Sequence, residues 1–248
     1  MTSISGTTTL VGLLGWPTAH SLSPRMQNAA FDTLGLDWAY VPLPTPPERL
    51  EDAVRGLVAA GFAGANVTIP HKERSVALCD DLDDVAAGAG SVNTLVVEDG
   101  RVRGSSTDGA AVTSQIDASD RTVLVLGAGG AAKAVVHALE AVGAARVTVA
   151  SRRDSPWPPS GEGVDVLVNC TPVKDAVLVQ PYPGMQVVDL AYNADGSETA
   201  LVAAARRAGC ETVVDGLDVL LAQGAASFER WTGEPAPFAA MASSVRRR

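Results

Sequence analysis

Several things are scarce in this sequence of 248 residues, and each scarcity excludes a class of protein. Cysteine occurs three times, at Cys79, Cys170 and Cys210, without metal-ligand spacing. That count excludes a disulfide framework and a cysteine-built metal site, and the expectation is reduced thiols and no metal. Basic charge is also short: 19 Lys and Arg stand against 28 Asp and Glu, a net charge of −9. A nucleic-acid surface needs a basic patch, which leaves small molecules as partners. The basic tail Arg246-Arg247-Arg248 reads as a solvated end. No apolar run approaches the length of a membrane span, and the start MTSISGTTTLVGLLG lacks the basic and apolar regions of a signal peptide. The expectation is a cytoplasmic, soluble chain of one large or two modest domains.

What is present is a regular alternation of short apolar runs with helical patterns, which predicts an α/β fold with mostly parallel sheet. Leu10–Leu14, Trp38–Leu43 and Ala65–Ile69 read as strands. Ser23-Pro24 signals a helix start, with Ser23 as its cap and Gly35 as its end. Ser21, in the same strand-to-helix loop, has no structural duty evident from sequence. A second helix runs from Pro46-Pro47-Glu48 to about Ala60, and Pro70 suits the first turn of a short helix bearing Lys72. Thr68 and Lys72 then fall where open α/β sheets place ligands, although such a lysine also reads as a solvated charge. Asp80–Gly90 reads as a broken helix or loop, and Asp99-Gly100 between two apolar runs predicts a hairpin. Asp108, opening the next helix, reads as an N-cap or as a functional carboxylate.

The most informative stretch is TVLVLGAGGAAKAVVHAL, Thr122–Leu139. A buried strand meets a glycine turn and then a helix, the opening of a dinucleotide-binding unit. Gly127 suits the tight turn, Gly129 admits a pyrophosphate to the backbone, and Ala132 stands where helix and strand pack. Val135, Val136, Leu139 and Val142 form the predicted buried stripe. Arg146–Ala150 reads as the next strand and ends on Ser151-Arg152-Arg153. An acidic residue there would hold the ribose of NAD, whereas arginines accommodate the 2′-phosphate of NADP. The proline-rich stretch Asp154–Gly163 is too short for the usual crossover helix. Val164–Asn169, Gln186–Leu190 and Thr212–Val214 complete the strands; Ser197-Glu198 starts one helix, and Leu217–Trp231 forms another that packs back on the first domain.

Taken together, AHSLSPRMQNAAF, GANVTIPHKE, GSVNTL, STDG, LGAGGAAKAV, VNCTP, DLAY and DGLDVLLAQGAASFERWTG resemble the shikimate dehydrogenase family, in family order from Ala19 to Gly233. The resemblance implies NADP-dependent reduction of 3-dehydroshikimate to shikimate. It makes Lys72 the catalytic lysine and Asp108 its carboxylate partner. It assigns Ser21, Ser23, Thr68, Asn93, Tyr192 and Gln223 to the substrate. Gly127, Ala128, Gly129, Gly130 and Ala131, with Ser151, Arg152 and Arg153, would hold NADP, and Thr171, Leu190 and Gly216 would line its nicotinamide. A lysine ammonium suits the chemistry, since reducing a ring ketone needs a proton at the developing alkoxide. Four positions depart from the family pattern: Gln27 replaces histidine, Ser106 asparagine, Leu220 methionine and Arg153 threonine. The first, second and last of the ring-facing changes, Gln27, Ser106 and Leu220, leave substrate preference open; Arg153 leaves the adenosine-phosphate geometry open.

The implied architecture is a substrate domain of residues 1–113, completed by 217–248, and a Rossmann-type NADP domain of 114–216, with the site in a hinged cleft. A homodimer is the assembly considered. Rival readings are quinate/shikimate or aminoshikimate dehydrogenases, the more distant methylenetetrahydrofolate dehydrogenases, and a non-catalytic NADP-sensing module. A sensor has no reason to keep Lys72, Asp108 and the hydroxyl set together.

Overall fold

A computed structural model describes residues 4–246; Met1–Ser3 of the amino-terminal stretch and Arg247 and Arg248 of the basic tail lie outside the described residues. The chain folds as two units. One takes the residues up to Thr107 and those from Leu221 onward, and the other is Asp108–Leu220.

The first unit opens with β1 (Thr9–Gly15), whose last five residues are buried. Next come α1 (Ser23–Leu34), β2 (Trp38–Pro44), a 3-10 turn at Pro47–Arg49, α2 (Leu50–Ala59) and β3 (Gly64–Val67). A second 3-10 turn, Arg74–Leu78, leads to β4 (Asp81–Leu82), α3 (Asp84–Ala89), β5 (Thr94–Glu98) and β6 (Arg101–Ser105). Their sheet has the order β2-β1-β3-β5-β6-β4. β1 pairs parallel with β2 and β3, but β5 runs antiparallel to β3 and β6. The hairpin arises at Asp99 and Gly100, which both take positive φ (52° and 76°), as a two-residue turn between twisted strands requires. On one face α2 buries Leu50, Val54 and Leu57 against Leu14, Val67 and Leu95. α1 buries Met26, Ala30 and Phe31, and Phe31 stacks on Phe228 with ring centroids 5.3 Å apart.

The second unit holds α4 (Asp108–Thr113), β7 (Thr122–Leu126), α5 (Gly130–Ala141), β8 (Arg146–Ala150), β9 (Val166–Asn169), β10 (Gln186–Asp189), α6 (Ala200–Ala208) and β11 (Thr212–Val214). Its sheet, β11-β10-β9-β7-β8, is parallel throughout. β7, β9 and β10 are nearly continuous apolar runs because helices and loops cover both their faces. Between β8 and β9 no helix forms among residues 151–165, as the prolines foretold. α7 (Gly216–Thr232) begins in this unit, while its residues from Leu221 onward belong to the first. There Trp231 donates its indole N–H to Leu95 O at 2.9 Å. A last helix, α8 (Phe238–Val245), packs against α1 and had no counterpart among the sequence expectations.

Several local expectations need correction. The cap position of α1 falls on Leu22, not Ser23, and no side chain caps the helix; Ser21 Oγ instead accepts from the Ser23 N–H at 3.2 Å. No helix starts at Pro70, so Lys72 sits in a turn ahead of the 3-10 segment. Thr199, rather than Ser197, caps α6 by accepting from the Val202 N–H. The buried stripe of α5 is Ala132, Ala134, Val135 and Leu139, whereas Val142 lies past the helix end and is 44% exposed. The stretch 117–121 belongs to the second unit, where the Asp117 backbone exchanges hydrogen bonds with the Gln186 side chain.

No helix among the described residues is long and apolar enough to cross a membrane. None of the three cysteines, all of them described, is in a disulfide. Burial and the neighbouring Asp80 carboxylate push the Cys79 thiol up to about 11, so it is a poor nucleophile.

Candidate active site

In the second unit, β7 delivers the chain into the glycine turn. Gly127 has φ +108°, a conformation that costs glycine nothing, and a Cβ there would meet the Cys170 backbone at 3.2 Å. Gly129 occupies the cap position of α5 in extended conformation, with no side chain capping the helix. A Cβ at Gly129 would meet nothing within 4 Å, so this backbone faces open space. Ala128 and Gly129 are exposed, Gly130 and Ala131 half-buried, and Ala132 is buried against the sheet. No acidic residue stands in the first turn of α5. A helix start with no side-chain cap, an approachable backbone and no opposing carboxylate fits a pyrophosphate. The residues present therefore fit a dinucleotide. Ser151 is half-buried at the end of β8, with Arg152 and Arg153 exposed beside it.

One buried carboxylate organises the ends of β9 and β10. Asp189 accepts from Asn169 Nδ2 at 2.9 Å, the Ala191 N–H at 3.0 Å and Thr199 Oγ1 at 2.5 Å. Burial raises its pKa, the bonds from Thr199, Ala191 and Asn169 oppose that shift, and the Asp215 charge adds to it. Asn169 Oδ1 in turn accepts from both the N–H and Oγ1 of Thr171, at 3.0 and 2.7 Å, and Asn169 O accepts from the Leu190 N–H. Thr171 and Leu190 are thus fixed by residues that sequence reading passed over. Gly216 lies against Ala191, where a Cβ would stand 2.3 Å from a carbonyl oxygen. Tyr192 is half-buried in the same unit, with Lys174 Nζ 5.8 Å from its ring centroid.

The first unit brings together Thr68, Lys72, Asn93 and Gln223 through a chain of hydrogen bonds. Thr68 N–H donates to Leu14 O, His71 N–H to Thr68 O and Val92 N–H to Lys72 O, which fixes the turn carrying Lys72 beside the strand end at Asn93. Asn93 is buried; its Nδ2 donates to Thr107 Oγ1 at 2.8 Å, and its Oδ1 accepts from the Thr107 N–H at 2.9 Å. Thr107 Oγ1 donates to Gln223 O at 3.1 Å, and Gln27 Nε2 to Gly224 O at 2.9 Å, so α1 and the STDG stretch grip successive carbonyls of α7. Ser21 and Ser23 precede and open α1 in this unit. Asp108 and Tyr192, by contrast, belong to the second unit together with every cofactor residue. Asp108 is buried and is the first residue of α4, not its cap, one position beyond Thr107.

Buried polar atoms surround this frame. Gln27 Oε1 and Ser106 Oγ, at two positions that depart from the family, lack protein partners, as do His71 Nδ1, Ser75 Oγ and Ser91 Oγ. His71 is fully buried and bonded through Nε2 to Thr45 O, at 2.7 Å. Burial lowers its pKa below 6.5, the Thr45 bond opposes this, and the Arg74 charge adds to the lowering. The unfolded chain therefore takes up this proton first, so His71 destabilises the fold as pH drops below about 6.5. His71→Asn is expected to flatten the pH dependence of unfolding between about pH 7 and 5; an unchanged slope in urea titrations would contradict it.

Comparison with known proteins agrees with this arrangement. The profile described as "Shikimate dehydrogenase substrate binding domain" matches residues 13–95, and that described as "Shikimate 5'-dehydrogenase C-terminal domain" matches residues 216–246. The chain is 44% identical to the shikimate dehydrogenase (NADP(+)) of Rubrobacter xylanophilus, over 93% of each chain. Among solved structures it is similar to the Aquifex aeolicus shikimate dehydrogenase (TM-score 0.88, 34% identity, covering 99% of this chain and 100% of that one). It is also similar to the Thermus thermophilus shikimate 5-dehydrogenase in complex with NADP(H) and shikimate (TM-score 0.82, 30% identity, covering 96% and 98%).

Proposed function

The chain belongs to the shikimate dehydrogenase family, and on that premise we propose that it reversibly reduces 3-dehydroshikimate to shikimate with NADPH. The observation that carries this reading is the hydrogen-bonded frame from Thr68 and Lys72 through Asn93 and Thr107 to Gln223. It fixes a cation among neutral hydroxyl and amide groups. A polyhydroxylated ring needs that combination, because each of its polar groups must find a partner on leaving water.

NADPH supplies the hydride to the ring carbonyl. The Lys72 ammonium stabilises the oxygen as it gains charge and gives it a proton; in the oxidation direction the neutral amine takes that proton back. Asp108 orients the lysine and the reacting hydroxyl. Ser21, Ser23, Thr68, Asn93, Gln223 and Tyr192 bind the substrate's carboxylate and hydroxyls. The glycine turn from Gly127 to Ala131 takes the pyrophosphate, Arg152 and Arg153 with Ser151 the adenosine phosphate, and Thr171, Leu190 and Gly216 the nicotinamide side. The same reading extends to a cytoplasmic enzyme, whose pairing as a homodimer sedimentation would decide.

The test is a steady-state comparison of shikimate and quinate, each with NADP⁺ and NAD⁺. The highest kcat/KM is expected for shikimate with NADP⁺. Activity chiefly with quinate would overturn the substrate assignment while leaving the fold in place.

A further inference from the structure

We propose that Asp154 is a cofactor-specificity residue that works against the two arginines preceding it, and so keeps the preference for NADP over NAD shallow. This rests on the placement of the adenosine ribose at the end of β8.

The observation is a closed turn. Asp154 Oδ2 accepts from the Ser151 N–H at 2.6 Å and from Ser151 Oγ at 3.0 Å. The Asp154 N–H returns to Ser151 O at 2.9 Å, and Ser151 Oγ accepts from the Arg153 N–H at 3.3 Å. The carboxylate is thereby pinned at the carboxyl end of the second strand of the nucleotide-binding unit. An acidic side chain at that end of a Rossmann sheet accepts from the ribose 2′-hydroxyl of NAD. Here such a residue is absent at position 151, but Asp154 folds back and brings its carboxylate to the same place. Two consequences follow. Ser151 has already committed its N–H and hydroxyl to Asp154, so a 2′-phosphate must rely on Arg152 and Arg153 beside a fixed negative charge. A ribose 2′-hydroxyl, in contrast, meets an acceptor: Oδ2 is engaged within the turn, while Oδ1 takes no hydrogen bond from the described residues, and the side chain is exposed. The missing crossover helix explains how this arises, since residues 151–165 form an irregular segment free to turn back on the strand end.

The test is calorimetric titration of the full chain with adenosine 2′,5′-bisphosphate and with ADP, neither of which requires turnover. Asp154→Asn keeps an acceptor for the turn and removes the charge. It is expected to tighten the bisphosphate about three- to tenfold at low salt and to leave ADP unchanged or weaker, with the gain shrinking as salt screens the pair. In steady state the same variant should lower KM for NADP⁺ and not for NAD⁺, with kcat little altered. Equal changes for both ligands, or none, would mean that Asp154 only shapes the turn and would overturn the proposal. Arg152→Ala separates this from the underlying placement. If it weakens the bisphosphate more than tenfold while Asp154→Asn does nothing, Asp154 alone is dismissed. If Arg152→Ala also has no effect, the 2′-phosphate is held elsewhere and both assignments fall.

Discussion

Replacing Lys72 by alanine is expected to lower turnover about a thousandfold, in the range for losing a positioned proton donor, while NADPH affinity changes little. The side chain is half-buried on a turn whose backbone is fastened without it, through Val92 N–H to Lys72 O at 3.0 Å and Ser75 N–H to His71 O at 3.0 Å. Its removal therefore leaves the frame standing, and unfolding midpoints should shift by less than about 0.5 kcal/mol in free energy. The loss should fall on kcat, because an ammonium that meets a developing alkoxide acts more strongly in the transition state than in the bound ketone. NADPH fluorescence titration and steady-state rates separate the two. A variant with near-normal kcat would remove Lys72 from the chemistry, and a parallel loss of NADPH affinity would make it a binding residue.

The second large effect concerns stability. Gly64→Ala is expected to cost about 3–4 kcal/mol, because the added methyl meets backbone that cannot yield. A Cβ at Gly64 would lie 2.1 Å from Leu95 O and 2.7 Å from Trp231 Nε1, the acceptor and donor of one buried hydrogen bond. The methyl therefore separates β3 from β5 and displaces the indole that ties α7 to the sheet. Trp231→Phe, which loses the bond without the clash, should cost less, about 1–2 kcal/mol. Urea unfolding measures both; a Gly64→Ala penalty below about 1 kcal/mol would show that the strands can part cheaply.

How much of this was legible in the sequence depends on how local the signal is. The glycine turn at Gly127–Gly130 reads correctly because strand, turn and helix start are consecutive and each obeys a short-range rule. The Asp99-Gly100 hairpin reads for the same reason. The missing helix after Ser151 follows from prolines alone. Boundaries fare worse: Ser197-Glu198 carries the polar signature of a helix start, yet Thr199 takes the cap because its hydroxyl also reaches the buried Asp189. Ser23 fails as a cap similarly, since the loop presents Ser21 Oγ to its N–H instead. Long-range partners leave almost no trace. Thr107 holds Asn93 across 14 positions and Gln223 across 116, and Asp189 reaches Asn169 across 20. Nothing in the sequence near Thr107 announces that it, more than the assigned residues, joins the two ends of the first unit. The inserted antiparallel β5–β6 pair was legible as a hairpin, but not its place between β3 and β4.

The most direct measurement is the consumption of NADPH by the purified chain on addition of 3-dehydroshikimate, with the product identified by chromatography. The account predicts stoichiometric conversion to shikimate, abolished in Lys72→Ala at equal protein concentration. Binding of NADPH without any oxidation, by a chain that is folded and holds 3-dehydroshikimate, would contradict it and leave a protein that senses the cofactor without using it.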